Sequence, residues 1–159
     1  MGAVFIDLFA GSGAVGIEAL SRGAGKVIFA DNSSNCCAVI HDNLKLLGAS
    51  SRDALVLNTD LAHDNSMEAL RDGLKRLGEI AADVIFADPP YSFDGIESIP
   101  SLISGSFLCA AEAVLVVEHG KKVILPQNAG AYVKFRDRNY GDSSLSFYNC
   151  QEESFQFNY

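Results

Sequence analysis

Positive charge is scarce in this sequence: 12 lysines and arginines stand against 20 aspartates and glutamates, a formal net charge of −8. That balance excludes a protein that holds nucleic acid by charge alone, because binding to backbone phosphates needs clustered cations. Any RNA contact must come from a local patch or from a segment outside this sequence. Long apolar runs are missing too. None reaches the ~20 residues that cross a bilayer, and no secretory signal opens the chain. Met1-Gly2 does not begin a myristoylation signal, since Ile6 stands where serine or threonine is needed. The four cysteines, Cys36, Cys37, Cys109 and Cys150, make no CxxC pair and no zinc spacing. They read as reduced small hydrophobes in a cytoplasmic protein. Repeats, linkers and low-complexity tracts are absent as well.

What is present suits one domain over residues 1–159, with 48% apolar residues to build a core. Val4 to Phe9 reads as a short strand, Ala10 to Gly13 as a glycine-bearing turn, and Ala14 to Ser21 as a helix closed by Gly23. Lys26 to Ala30 is a second strand ending at Asp31, after which Asn32 or Ser33 can cap a helix. The apolar positions of that helix, Cys36, Ile40, Leu44 and Leu47, recur at helical spacing up to Gly48. Ala54 to Leu57 is a third strand. Met67, Leu70, Leu74 and Leu77 mark a third helix closed by Gly78, and Asp83 to Ala87 a fourth strand. Weaker helix signals run from Ile96 to Leu102, and Ala113 to Val117 is a fifth strand ending at Glu118-His119. This alternation predicts an α/β fold, a parallel sheet with helices on both faces. The last third alternates instead: Tyr132 to Tyr140, a turn at Gly141-Asp142, and Ser144 to Asn149 predict an antiparallel hairpin. Ser154 to Tyr159 alternates too, as an added edge strand or a disordered end.

Two corners carry the chemistry. Gly11-Ser12-Gly13-Ala14-Val15-Gly16 fits G-x-G-x-x-G between a strand and a helix, and Asp31 follows at the end of the next strand. Glycines let a ligand approach the backbone, the helix start offers N–H groups, and Asp31 can accept from ribose hydroxyls. Asp7, inside the first strand, would repel a pyrophosphate but suit a ligand bearing an ammonium group. That favours S-adenosylmethionine over NAD. The second corner is Asp88-Pro89-Pro90-Tyr91, where two prolines end the fourth strand. It offers the Asp88 carboxylate, the Pro89 carbonyl and the Tyr91 face to a planar amine. Ligands of open α/β sheets sit at C-terminal strand ends beside the switch in strand order, so the first and fourth strands are expected as neighbours. The glycine turn, Asp31, Asp60 and Asp88 then share one crevice.

At these residues the sequence resembles the RsmD-like family of 16S ribosomal RNA guanine-N2 methyltransferases. The matching stretches are Asp7 to Ala24, Asp88 to Tyr91, Glu118, and Tyr140-Gly141. The resemblance implies a Rossmann-like class I methyltransferase fold with a mostly parallel seven-stranded sheet, the seventh strand antiparallel. It implies that Asp7, Phe9, Ala10, Gly11, Ser12, Gly13, Asp31, Asn32, Asp60, Leu61 and Asp88 bind S-adenosyl-L-methionine, and that Asp88, Pro89, Pro90 and Tyr91 hold the target amine. The expected partner is ribosomal RNA or the assembling small ribosomal subunit, met by a monomer, with no membrane and no metal. The basic N-terminal segment of family members is expected to be absent. Alternatives are an adenine-N6 methyltransferase of DNA or RNA, a cofactor-binding fragment without activity and, last, a NAD-dependent oxidoreductase. Lys134, Arg136 and Arg138 alternate, so they are expected on one strand face, as phosphate contacts or as edge-protecting charges. Lys121-Lys122 reads as an ordinary surface pair, and His119 as a residue able to approach substrate. Glu18 matches the family with no evident role.

Overall fold

A computed structural model describes residues 2–63 and 65–151. The elements follow in the order β1 (Val4–Leu8), α1 (Ala14–Ser21), β2 (Lys26–Asp31), α2 (Ser34–Leu46), β3 (Ala54–Asn58), α3 (Ser66–Arg76) and β4 (Ala82–Ala87). A 3-10 turn at Ile96–Ser98 leads into α4 (Ile99–Ser104), then come β5 (Cys109–Gly120), β6 (Asn128–Ala129), β7 (Tyr132–Tyr140) and β8 (Ser143–Cys150). They build an eight-stranded sheet of order β3-β2-β1-β4-β5-β8-β7-β6. Strands β3, β2, β1, β4 and β5 pair in parallel, while β8 lies antiparallel between β5 and β7. The α/β class, the terminal hairpin and the antiparallel last strand agree with expectation. Among the described residues the strand count is eight rather than seven, because the two residues of β6 pair with Tyr132 and Val133 at the edge. Among the described residues no helix is long and apolar enough to cross a membrane.

The core has two parts, one on each face. On one face α3 and α4 supply Met67, Leu70, Leu74, Ile99 and Ile103 against Ile6, Leu8, Ile85, Leu115, Val117 and Tyr148. On the other, α1 and α2 cover Val27, Phe29 and Ala54 with Ile17, Leu20, Ile40 and Leu44. Helices thus lie on both faces, but the second layer stops at β1. Val84, Phe86, Val114, Val116, Leu145 and Phe147, on the same face of β4, β5 and β8, are only half-buried and belong to neither cluster.

Several local expectations change. Ser33 caps α2, its hydroxyl accepting the Cys36 N–H at 3.3 Å. Cys37 rather than Cys36 faces the core with Ile40 and Leu44, and Leu47 is 58% exposed, so the apolar stripe is offset by one residue and one turn shorter. β5 begins four residues early, at Cys109, because an irregularity in its pairing with β4, with Glu112 at φ 63, lets the strand continue. Lys134, Arg136 and Arg138 do not share a face. The pairing of β7 with β8 slips between Lys134↔Tyr148 and Arg136↔Phe147, so Phe135 is the extra residue of a bulge. A one-residue slip exchanges faces. Lys134 therefore turns inward beside Asp137, at 3.2 Å, while Arg136 and Arg138 point to the other side. The alternating Ser154 to Tyr159 stretch lies outside the described residues.

Candidate active site

The two corners are adjacent because their strands are. Leu8 pairs with Ala87, the last residues of β1 and β4, and the Asp88 N–H donates to the Leu8 carbonyl at 3.4 Å. Beyond them lies a cleft of about 570 Å³ at the C-terminal ends of the parallel strands. That position beside the β1/β4 switch, and a volume in the usual ligand range, mark it as the candidate site. One wall carries Phe9, Asp31, Asn32 and Asp60, and the other Asp88, Pro89, Pro90, Tyr91 and Glu118. Among the described residues no lysine or arginine lines it.

The glycine turn is held by its own acids. Gly11 N–H donates to Asp31 Oδ2 at 2.8 Å, and Ser33 N–H to Asp31 Oδ1 at 2.8 Å. Gly16 N–H donates to Asp7 Oδ2 at 2.8 Å, and Gly13 N–H to the Ala10 carbonyl at 2.7 Å. Three N–H groups of the turn and helix start, those of Gly11, Gly13 and Gly16, are thus already taken, two of them by carboxylates. This was not legible from the glycine spacing, which reports only where backbone can come close. Gly13 adopts φ 79 at the helix start, a conformation that favours glycine. Gly16 is required by space: a Cβ there would stand 2.3 Å from Phe29 Cε1. Ser12 faces α2, its carbonyl accepting from Asn43 Nδ2 at 3.0 Å.

Electrostatically the site is a ring of acids. Asp7 is 2% exposed, beneath the turn rather than on the cleft wall. Burial pushes its carboxyl up to about 7, with Asp88 and Asp31 adding to the rise and the Gly16 N–H opposing it. Partial desolvation by the cleft walls, and then Glu118, raise Asp88 as well. Asp60 moves the other way: the Ala62 N–H at 2.9 Å and the Asn32 amide at 3.4 Å favour its ionised form. The Leu61 side chain is 4% exposed and packs in the core, so only its backbone can face a ligand. Pro89 is buried and Pro90 exposed, and the Pro90 carbonyl accepts the Phe93 N–H at 2.8 Å. Among the described residues no donor reaches the Pro89 carbonyl. Tyr91 is 88% exposed at the mouth.

Sequence reasoning missed Phe93 and Ile96, which enter the cleft from the segment after the proline corner, and Ser143 from the hairpin. The mixed apolar and polar residues after Tyr91 follow no helix or strand period that could have found them. Glu118 was noted only through the family match, yet it stands on the wall and perturbs Asp88. His119 also lines the cleft but is largely consumed by the fold. Its Nε2 lies 2.8 Å from Ser146 Oγ, whose hydroxyl donates to Asp137 Oδ1 at 2.6 Å. Glu18 is an exposed helix residue, 2.6 Å from Arg22.

The profile of a family described as conserved hypothetical protein 95 matches residues 1–149. YlbH of Bacillus subtilis is 34% identical over 143 residues, covering 90% of this chain and 73% of that protein. Ribosomal RNA small subunit methyltransferase D of Haemophilus influenzae is 34% identical over 125 residues, 77% of this chain and 61% of that protein. Among solved structures, a conserved hypothetical protein of Streptococcus pyogenes superposes with a TM-score of 0.78 at 27% identity, over 94% of this chain and 87% of that one.

Proposed function

We propose that this chain, which belongs to the family described as conserved hypothetical protein 95, transfers a methyl group from S-adenosylmethionine to the N2 amine of a guanine in small-subunit ribosomal RNA. The observation that carries the reading is the shared cleft, which sets a corner built to accept from an amine against a turn lined with acids. The name of the Haemophilus relative supplies the RNA class. The donor set fits this cofactor. Carboxylates at Asp31 and Asp60 suit hydroxyls and Phe9 offers an apolar surface, while Asp7, 2% exposed beneath the turn, supports it through the Gly16 N–H. A pyrophosphate fits poorly among these acids, with no lysine or arginine on the walls among the described residues.

The cofactor supplies a methyl group on a sulfonium, an already activated leaving group. The rest falls to the chain. An exocyclic amine is a poor nucleophile because its lone pair is delocalised into the ring. The Asp88 carboxylate and the Pro89 carbonyl each accept one N–H, which turns that lone pair toward the methyl. Tyr91 stacks on the base, a contact worth roughly 1–3 kcal/mol in single-strand binders. Holding two reactants in line contributes roughly 7–11 kcal/mol of barrier lowering. The base must be unpaired or extruded to reach the corner.

The test is mass mapping of small-subunit RNA after incubation with labelled cofactor. The expected product carries one added methyl on a guanine N2. A methyl on adenine N6 would replace this reading with the adenine one, and no transfer to RNA or particle would remove it.

A further inference from the structure

We propose that the outward face of the β7–β8 hairpin, with Phe135, Arg136, Arg138 and Tyr140, carries the single-stranded RNA that flanks the base held at Tyr91. This rests on the reading of the cleft as a base pocket and adds the surface that brings the RNA to it. The first observation is continuity. Gly120, Ser143 and Tyr140 form one rung across β5, β8 and β7, and Glu118, Leu145 and Arg138 the next on the same face. Two strand spacings, roughly 10 Å, separate Gly120 and Glu118 from Tyr140 and Arg138, and Ser143, which also lines the cleft, pairs directly with Tyr140. Tyr91 joins the same surface: a Cβ on Gly120 would lie 3.9 Å from Tyr91 Cε1.

The second observation is charge. Five of the 12 lysines and arginines fall between residues 121 and 138 of a chain with net charge −8. The bulge at Phe135 sorts them, sending Lys134 inward to Asp137 and leaving Arg136 and Arg138 exposed with no carboxylate partner among the described residues. Aromatic rings are interleaved with them. Phe135 is 50% and Tyr140 63% exposed, and the Arg136 guanidinium lies 6.0 Å from the Phe135 centroid. Guanidinium groups for phosphates beside rings for bases are what a single-strand platform requires. β6 pairs only with Tyr132 and Val133, so the strip lies on a stretch of β7 that no other described strand covers on its outer side.

Fluorescence anisotropy with a fluorescein-labelled single-stranded RNA of about ten nucleotides, within the usual site size, tests this on the full chain. Arg136→Glu with Arg138→Glu is expected to weaken binding about tenfold or more and to lower the log–log salt slope by about 1.4, two phosphates at about 0.7 each. Arg136→Lys with Arg138→Lys keeps the slope. Lys45→Glu with Arg52→Glu makes the same charge change at the opposite edge and leaves the slope unchanged. Tyr140→Ala lowers affinity roughly 5- to 150-fold, the range for one stacked base, at constant slope. Equal weakening by the two charge-reversed pairs, unchanged binding by the Arg136/Arg138 pair, or no RNA binding by the parent chain each overturns the proposal. Calorimetry with S-adenosylmethionine on the same variants keeps the two readings apart. All variants should bind it like the parent, and a parent that binds RNA through this strip but not the cofactor would sink the pocket reading alone.

Discussion

The ring of Phe9 meets the ring of Phe93 edge-on, with centroids 5.1 Å apart and planes at 72°. Phe9 opens the glycine turn and Phe93 follows the proline corner, so this contact spans the two halves of the cleft. Phe9 adopts φ 59, a conformation a bulky side chain rarely takes. The ring packing offsets that strain.

The pair should therefore be energetically coupled. A double-mutant cycle with Phe9→Ala and Phe93→Ala, read by urea denaturation, is expected to give a coupling of about 0.5–1.5 kcal/mol. Each single variant should also bind cofactor more weakly. Additive effects would show that the corners are positioned independently.

Asp88→Ala should lower methyl transfer by about 10²-fold or more, since a misplaced nucleophile loses its alignment. The dissociation constant for S-adenosylmethionine should stay within about twofold of the parent. The raised carboxyl of Asp88 adds a pH signature. In the proposed reaction the ionised form of Asp88 accepts from the amine beside the Pro89 carbonyl, so activity should fall on acidification, starting at higher pH than for an ordinary aspartate.

Asp7 makes a stability prediction with a definite sign. Its folded carboxyl sits at about 7 against 3.8 for the ordinary group, so the folded state holds a proton that the unfolded chain releases between those values. Stability is thus lost as pH rises through this window, by up to roughly 4 kcal/mol at 1.36 kcal/mol per unit. Asp7→Asn should remove that dependence. The variant should gain on the parent between pH 4 and pH 7 in urea denaturation, while cofactor affinity falls. A constant difference across that range would contradict the burial argument.

Gly16→Ala places a methyl 2.3 Å from the ring of Phe29, which is itself fully buried. The ring has nowhere to move. The expected cost is about 1–3 kcal/mol, with the melting temperature lowered by roughly 3–10 °C in a thermal scan. Ser12→Ala, one turn earlier and exposed, serves as the control and should melt with the parent.

Local chemistry set the elements by itself. Apolar runs ending at Asp31 and Ala87, the bounds of α1, the Ser33 cap and the stripe of Met67, Leu70, Leu74 and Leu77 depend on near neighbours in the chain. The adjacency of β1 and β4 was legible too, because right-handed crossovers leave few orders for such a chain. Long-range pairing decided the rest. Asp7 and Asp31 take the Gly16 and Gly11 N–H groups only once β1, β2 and α1 have packed. Leu61 follows an acid in sequence, yet its side chain is drawn into the core. Above all, one extra residue in β7 chose which cations face outward, and that depends on a register between strands that no single-strand pattern contains. Alternation along a strand assigns side chains to faces only while the pairing stays unbroken, and the bulge breaks it.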